Sequence, residues 1–236
     1  MTLPMPSVEM LEPRDAYALW AASYPPCAHN PVMRAEERAM LALMPMDLRG
    51  QSVLDAGCGS GRYMLHALER GAARITGVDL SSEMLERASK ELAACRHGGE
   101  IELMQGNLER LPLPKASADL AICGLTIGHL ARLQPALAEL RRVTRPGGAI
   151  LCSDVHPIGH ALGWLRDFKS GDGRYAVRHT PHLYSHWHAV CAAMQLEIAE
   201  VREPMLDPAD IPEDAHFDRR ALDVPVALVF LLRRPS

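Results

Sequence analysis

The residues best suited to do chemistry fall in one stretch, Val53-Leu54-Asp55-Ala56-Gly57-Cys58-Gly59-Ser60-Gly61-Arg62. A β-rich run leads straight into a glycine-rich turn that opens a helical segment. Glycine serves where the backbone must take positive φ or let a ligand come close. In open α/β sheets, ligands settle beyond the carboxyl ends of such strands. Two phosphate-binding readings fail here. A dinucleotide fingerprint needs G-x-G-x-x-G, but the glycines fall at 57, 59 and 61 and position 62 is Arg. A Walker loop ends in Gly-Lys-Ser/Thr, and this turn does not. Asp55 would also repel a pyrophosphate while suiting a cation.

Further polar residues recur where later strands should end. Ile75-Thr76-Gly77-Val78-Asp79-Leu80 puts a carboxylate 24 positions after Asp55. Such a group can accept both hydroxyls of a ribose. Gln105-Gly106-Asn107-Leu108 offers an amide for a base edge, and Cys123-Gly124-Leu125-Thr126 closes a fourth run.

The elements that must position these groups follow from periodicity. Apolar runs at 52–54, 75–78, 101–104, 120–123 and 149–152 alternate with helical spacing at 61–70, 81–96 and 135–144. Alternation of this kind implies βαβ units and a mostly parallel sheet with right-handed crossovers. Ser81-Ser82-Glu83 can cap its helix, and Pro146-Gly147-Gly148 is expected to stop the helix before the fifth strand. Closing strands are expected near 196–201 and 224–232, separated by an acidic, proline-punctuated stretch at 203–220. The expectation is an α/β, Rossmann-like, seven-stranded, mostly parallel sheet with helices on both faces. One domain over 1–236 is expected. It comprises N-terminal helices over 1–46, broken at Tyr24-Pro25-Pro26, a core over 51–155, and a His-rich cap with closing elements over 156–220. Residues 156–181 read as irregular, and a helix is expected over 182–194.

Together these motifs resemble the class I S-adenosylmethionine-dependent methyltransferases, in order, across residues 51–155. The resemblance implies S-adenosylmethionine as cofactor. By similarity, Asp55, Ala56, Gly57, Cys58, Gly59 and Gly61 hold its methionine part, and Asp79 takes the ribose hydroxyls. Leu80 and Met84 lie beside the base, Asn107 and Leu108 flank the adenine, and Cys123 to Thr126 lie beneath the sulfonium. Many relatives have Asp where this chain has Asn107. The opening Tyr17-Ala18-Leu19-Trp20-Ala21-Ala22-Ser23-Tyr24 resembles the entry helix of ubiquinone/menaquinone-type, small-molecule methyltransferases. Aromatic residues there fold over the cofactor, and a Tyr ring can pack against a sulfonium. Tyr24 is thus a candidate for contact with cofactor or acceptor; the alternative is that Tyr17, Trp20 and Tyr24 only cover the core.

Histidine is the unusual feature: six of eleven lie between 156 and 188. His156 ends the fifth strand and is the candidate general base; His129, after the fourth, is a weaker one. If Pro181 begins a helix, His182 and His186 share a face, so His156, His182 and His186 form an alternative metal site, with Asp154 as a further ligand. A third reading leaves these histidines hydrogen-bonded within the cap. The activity expected is methyl transfer to a small-molecule acceptor, oxygen ahead of nitrogen or carbon. Metal-assisted transfer and a non-catalytic cofactor-binding module are the alternatives.

Composition narrows the partners. Lys and Arg total 25 against 29 Asp and Glu, a formal charge of −4, which argues against nucleic acid. The longest strongly apolar run, 224–232, is interrupted by Pro225, whereas a spanning helix needs roughly 20 residues. Residues 1–11 lack a basic flank and an apolar secretory stretch. The six cysteines are scattered without a Cys-x-x-Cys pair, which reads as reduced thiols. A soluble, cytoplasmic protein acting on a small molecule, with no membrane span, is expected.

Overall fold

Strands that are apolar on both sides need helices on both sides, and this chain supplies them by alternation. The computed structural model describes residues 8–95, 98–211 and 217–236. The expected helix end at Arg96, most of residues 1–11 and part of the acidic stretch at 203–220 lie outside the described residues. In chain order the elements are β1 (Glu9–Leu11), α1 (Pro13–Trp20), α2 (Pro31–Leu43), β2 (Ser52–Ala56), α3 (Arg62–Glu69), β3 (Arg74–Asp79) and α4 (Ser82–Ala93). There follow β4 (Glu100–Gln105), β5 (Ala118–Gly124), α5 (Leu133–Val143), β6 (Thr144–Val155), α6 (Pro157–Ala161), β7 (Asp167–Ser170) and β8 (Gly173–Val177). The chain closes with α7 (Tyr184–Ala193), β9 (Glu197–Arg202) and β10 (Ala227–Arg233).

Seven strands form one sheet in the order β4-β3-β2-β5-β6-β10-β9. The first five are parallel, and β10 runs antiparallel to both β6 and β9. From β2 the chain winds outward to β3 and β4, then returns to place β5 on the other side. This reversal opens a crevice beyond the carboxyl ends of β2 and β5, where α/β sheets bind ligands. Alternate strand residues face opposite layers. Leu54, Ile150 and Cys152 pack with α5 and α7 residues such as Leu137 and Trp187. Val53, Ala149 and Leu151 pack with Met40 of α2, Met64 of α3 and Leu92 of α4.

Two expectations need correction. The helix expected over 135–144 spans Leu133–Val143, and β6 begins at once at Thr144, so Pro146-Gly147-Gly148 lies within the strand and not between helix and strand. Thr144 Oγ1 donates to the Leu140 carbonyl at 2.8 Å, and Arg234 Nη1 donates to the Arg141 carbonyl at 3.0 Å. These donors satisfy carbonyls left open at the helix end. Residues 156–181 are also not simply irregular. They hold α6 and the β7–β8 hairpin, and β1 adds to β8 in parallel to make a second sheet, β1-β8-β7. That sheet packs on α1 through Trp20, which stacks on Phe168 with centroids 4.5 Å apart. Among the described residues, no helix is long and apolar enough to cross a membrane.

Trp187 of α7 is fully buried, with its ring 4.3 Å from Phe230 of β10, and its indole N–H has no partner among the described residues. Trp187→Ala should therefore lower the unfolding free energy by about 3–5 kcal/mol. Trp187→Phe, which removes the unpartnered N–H, should cost much less. Urea denaturation of both variants checks this, and equal losses would contradict it.

Candidate active site

The turn after β2 is pinned to the end of β3. Gly57 and Cys58 both donate their N–H to the Val78 carbonyl, at 2.7 and 3.0 Å. Gly57 has φ +76°, and a Cβ there would overlap the Thr126 side chain. Glycine is required on both counts. The Asp79 carboxylate is held from two sides: Gly59 N–H donates to Oδ2 at 2.8 Å and Ser81 N–H to Oδ1 at 2.9 Å. Ser81 also caps α4 by accepting from the Met84 N–H at 3.2 Å. Burial pushes the Asp79 carboxyl upward against these hydrogen bonds.

Asp55 is 1% exposed, and its Oδ2 has no partner among the described residues. Burial pushes its carboxyl up to about 7; Asp79 adds to the rise, while the Arg62 guanidinium opposes it. Arg62 is itself engaged, with Nη2 on Glu36 at 3.1 Å and Nη1 on Glu37 at 3.0 Å. Burial also drives the Cys58 thiol well above its usual range, so it stays protonated and is no nucleophile.

These groups line a cavity of about 380 Å³, within the ordinary range for small-ligand sites. Its far wall comes from β5 and α1. Leu125 takes a left-handed backbone with φ +53°, and its N–H donates to the backbone and hydroxyl oxygens of Ser153, each at 3.0 Å. A non-glycine residue held this way costs about 1–3 kcal/mol. Tyr17, Trp20 and Tyr24 form an aromatic cover, with Trp20 and Tyr24 centroids 4.9 Å apart. His129 Nδ1 lies 3.2 Å from the Arg178 carbonyl. A carbonyl only accepts, so Nδ1 carries the proton and Nε2 accepts from the Tyr17 hydroxyl at 3.0 Å. Behind them His179 Nε2 meets Asp154 Oδ1 at 3.0 Å.

Most of the expected site residues meet here. Asp55, Gly57, Cys58, Gly59, Asp79, Leu80, Met84, Asn107, Leu108 and Thr126 line the cavity, as does Tyr24. Ala56 and Cys123 instead lie wholly in the core beneath it. Gly61 faces Ala88 and Leu92 of α4. His156 is not in the cavity wall. It is the N-cap of α6: Nδ1 accepts from the Ile158 N–H at 3.2 Å, and Nε2 faces Glu203 at 3.3 Å. The start of a helix immediately after β6 claims the ring that was expected to point at the site. Nor do His156, His182 and His186 converge. The helix begins at Tyr184, so His182 is off it; its Nε2 lies 3.0 Å from the Leu130 carbonyl, while His186 is exposed. Asp154 pairs with His179 instead, and no group of His, Cys, Asp or Glu among the described residues is arranged to hold a metal. Sequence reasoning missed Arg166, which lines the cavity from an otherwise unremarked segment. Nothing in its neighbours signals the role.

Residues 54–152 match the family described as a methyltransferase domain. The chain carries a class I S-adenosylmethionine-dependent methyltransferase domain. A solved S-adenosylmethionine-dependent methyltransferase from Mesorhizobium loti is 27% identical with a TM-score of 0.68, covering 85% of this chain and 98% of that one. A malonyl-[acyl-carrier protein] O-methyltransferase of Serratia marcescens is 42% identical over 106 residues, covering 45% of this chain and 39% of the relative. The ubiquinone/menaquinone biosynthesis C-methyltransferase UbiE of Methylobacterium nodulans is 37% identical over 153 residues, covering 64% and 58%. The chain thus spans only 39% to 58% of the length of these two curated relatives. S-adenosylmethionine is the cofactor of this domain class, and the cavity fits it chemically. The orphan Asp55 oxygen suits an ammonium, the doubly held Asp79 a vicinal diol, and the aromatic cover a sulfonium.

His129 gives the methyltransferase domain an acid-sensitive point. Burial, with Arg166 and His179 adding, lowers its pKa to about 3, against 6.5 ordinarily. Between those values the unfolded chain holds a proton that the folded one does not, so His129 destabilises the fold progressively as pH falls from about 6.5 toward 3. His129→Gln should flatten that part of the stability profile in denaturation runs at pH 4.5–7. Parallel profiles for variant and parent would count against the assignment.

Proposed function

We propose that the protein transfers a methyl group from S-adenosylmethionine to an oxygen of a small-molecule acceptor. The observation that carries this reading is the Asp79 carboxylate, fixed by the Gly59 and Ser81 N–H groups at the wall of a cavity that also holds Asp55, whose Oδ2 has no partner among the described residues. In this reading Asp79 accepts the ribose hydroxyls, with Leu80 and Met84 beside the base and Asn107 and Leu108 flanking it. Asp55 and the turn through Gly57, Cys58 and Gly59 receive the amino-acid end. The cofactor supplies a methyl carbon already activated by a sulfonium.

The chain's own contribution is placement and exclusion of water. Gly57 lets the turn approach its ligand, and Thr126 supports it from β5 by donating Oγ1 to the Gly57 carbonyl at 3.3 Å. Tyr17 and Tyr24 line the cavity from the other side, backed by Trp20, and in this reading hold the acceptor against the reacting carbon. Alignment of this kind is worth roughly 7–11 kcal/mol. Oxygen is favoured over carbon as the accepting atom because the far wall offers a guanidinium and hydroxyl groups, which suit an oxygen-bearing acceptor. His129 receives the Tyr17 proton in a hydrogen bond and so orients that phenol.

Two measurements test this. Methyl-labelled S-adenosylmethionine incubated with the protein and a cell extract should leave label in the small-molecule fraction; label in RNA or protein would overturn the acceptor class. Calorimetric titration with S-adenosylhomocysteine tests the cofactor residues. Asp79→Ala should weaken binding about tenfold or more, roughly 1.4 kcal/mol. Because Asp55 holds its proton up to about 7, an arriving ammonium must displace it. Affinity should therefore rise with pH between about 5.5 and 7, approaching tenfold per unit, with proton release that Asp55→Asn abolishes. A pH-independent affinity in the parent would remove Asp55 from that role.

A further inference from the structure

Arg166 is a partly buried cation for which the described residues supply no carboxylate partner. Its Nη1 donates to the Leu125 carbonyl at 3.1 Å and its Nη2 to the Tyr24 hydroxyl at 3.3 Å. The guanidinium carbon lies 5.5 Å from the Tyr17 ring centroid. Among the described residues no carboxylate forms an ion pair with it, although it lines the cavity. Arg62, in the same wall, shows the ordinary arrangement, with Glu36 and Glu37 both on its guanidinium. A partly buried charge without a counter-ion favours an anion that enters the cavity beside it. Two of the five N–H donors of Arg166 are spent on neutral oxygens, and the planar fork that remains matches a carboxylate.

The groups beside Arg166 bear on what kind of oxygen can react. A neutral hydroxyl must lose a proton as the methyl arrives, and the base must be strong enough to take it. Burial raises the Tyr17 phenol, so it keeps its proton, and that proton is already given to His129 in a hydrogen bond. His129 is held at about 3 and has its Nε2 lone pair occupied. Neither accepts a proton from a hydroxyl at neutral pH. An acceptor that arrives already ionised needs no base.

Resting on the methyl-transfer reading above, we propose that the acceptor is a carboxylic acid, bound as its carboxylate on Arg166 and methylated on that oxygen. One carboxylate oxygen attacks the methyl carbon and a C–O ester bond forms as the S–CH3 bond breaks. The electron pair of the broken bond stays on sulfur, giving the thioether S-adenosylhomocysteine, and no proton moves. The negative charge of the acceptor and the positive charge of the sulfonium both disappear. The neutral ester has lost the charge that held it to Arg166, which favours its departure.

The test titrates benzoate and octanoate, with their methyl esters as controls, into protein loaded with S-adenosylhomocysteine. The acids should bind at least tenfold more tightly than the esters. Arg166→Gln should erase that preference while leaving S-adenosylhomocysteine affinity within about twofold, and Arg166→Lys, which keeps the charge, should restore part of it. Equal binding of acid and ester, or no binding of either acid, overturns the proposal. A tenfold loss of S-adenosylhomocysteine affinity in Arg166→Gln also overturns it, because the guanidinium would then hold the cofactor's own carboxylate. Failure of the parent protein to load S-adenosylhomocysteine would instead refute the cofactor reading. Independently, label in the small-molecule product should be released as methanol by mild alkali, as an ester requires; alkali-stable label overturns the proposal.

Discussion

Two carboxyl groups at the tips of neighbouring parallel strands, the buried Asp55 on β2 and the half-buried Asp79 on β3, are the constraint to which the surrounding structure answers. Charge in such a place is costly unless N–H groups or cations meet it. Asp79 is met by two backbone donors, and supplying them requires a turn that passes close over the strand ends and a helix that starts at Ser81. That turn is possible only with glycine at 57, where the backbone is left-handed and Thr126 fills the space of a side chain. Among the described residues Asp55 keeps one oxygen unmet, and burial raises its carboxyl. In the proposed reading, the unmet oxygen, more than the glycine pattern, suits the crevice to a cationic ligand.

The core was legible because its signals are local. Each of β2 to β5 shows in the sequence as a short apolar run, and each ends on the residue that lines the cavity: Asp55, Asp79, Asn107 just beyond β4, and Thr126 beyond β5. Parallel winding then forces those ends to one side of the sheet, so four short motifs define a site with no long-range information needed. Three expected residues do not line the cavity: Gly61 faces α4, and Ala56 and Cys123 miss it for a simple reason. Strand alternation sends each into the core beneath the site, while the motif is read as a continuous string.

The cap was illegible for the opposite reason. β7 and β8 are four and five residues long and carry charged side chains, so neither shows apolar alternation. Their third strand, β1, lies more than 160 residues earlier. His156 was misjudged because the chain enters a helix immediately after β6, and a residue at an N-cap turns its ring to the helix's own N–H. The histidine pair at 182 and 186 looked helical only on the assumption that the helix begins at Pro181; it begins at Tyr184. Arg166 has no sequence signal at all, because what distinguishes it is the missing partner, a property of the folded surroundings alone.

The parallel pairing of β1 with β8 has a consequence for how acceptor choice can change between related proteins. The wall opposite the Asp55–Asp79 crevice is formed by α1 and Arg166, and α1 is backed by β1 and the β7–β8 hairpin, joined edge to edge. Neither segment can be exchanged without its counterpart, since a foreign β1 meets the wrong edge register and a foreign hairpin loses the Trp20–Phe168 stack. New specificities in such a scaffold therefore arise by paired replacement of two distant segments, and a recombinant carrying only one of them inherits a cavity with a mismatched seam.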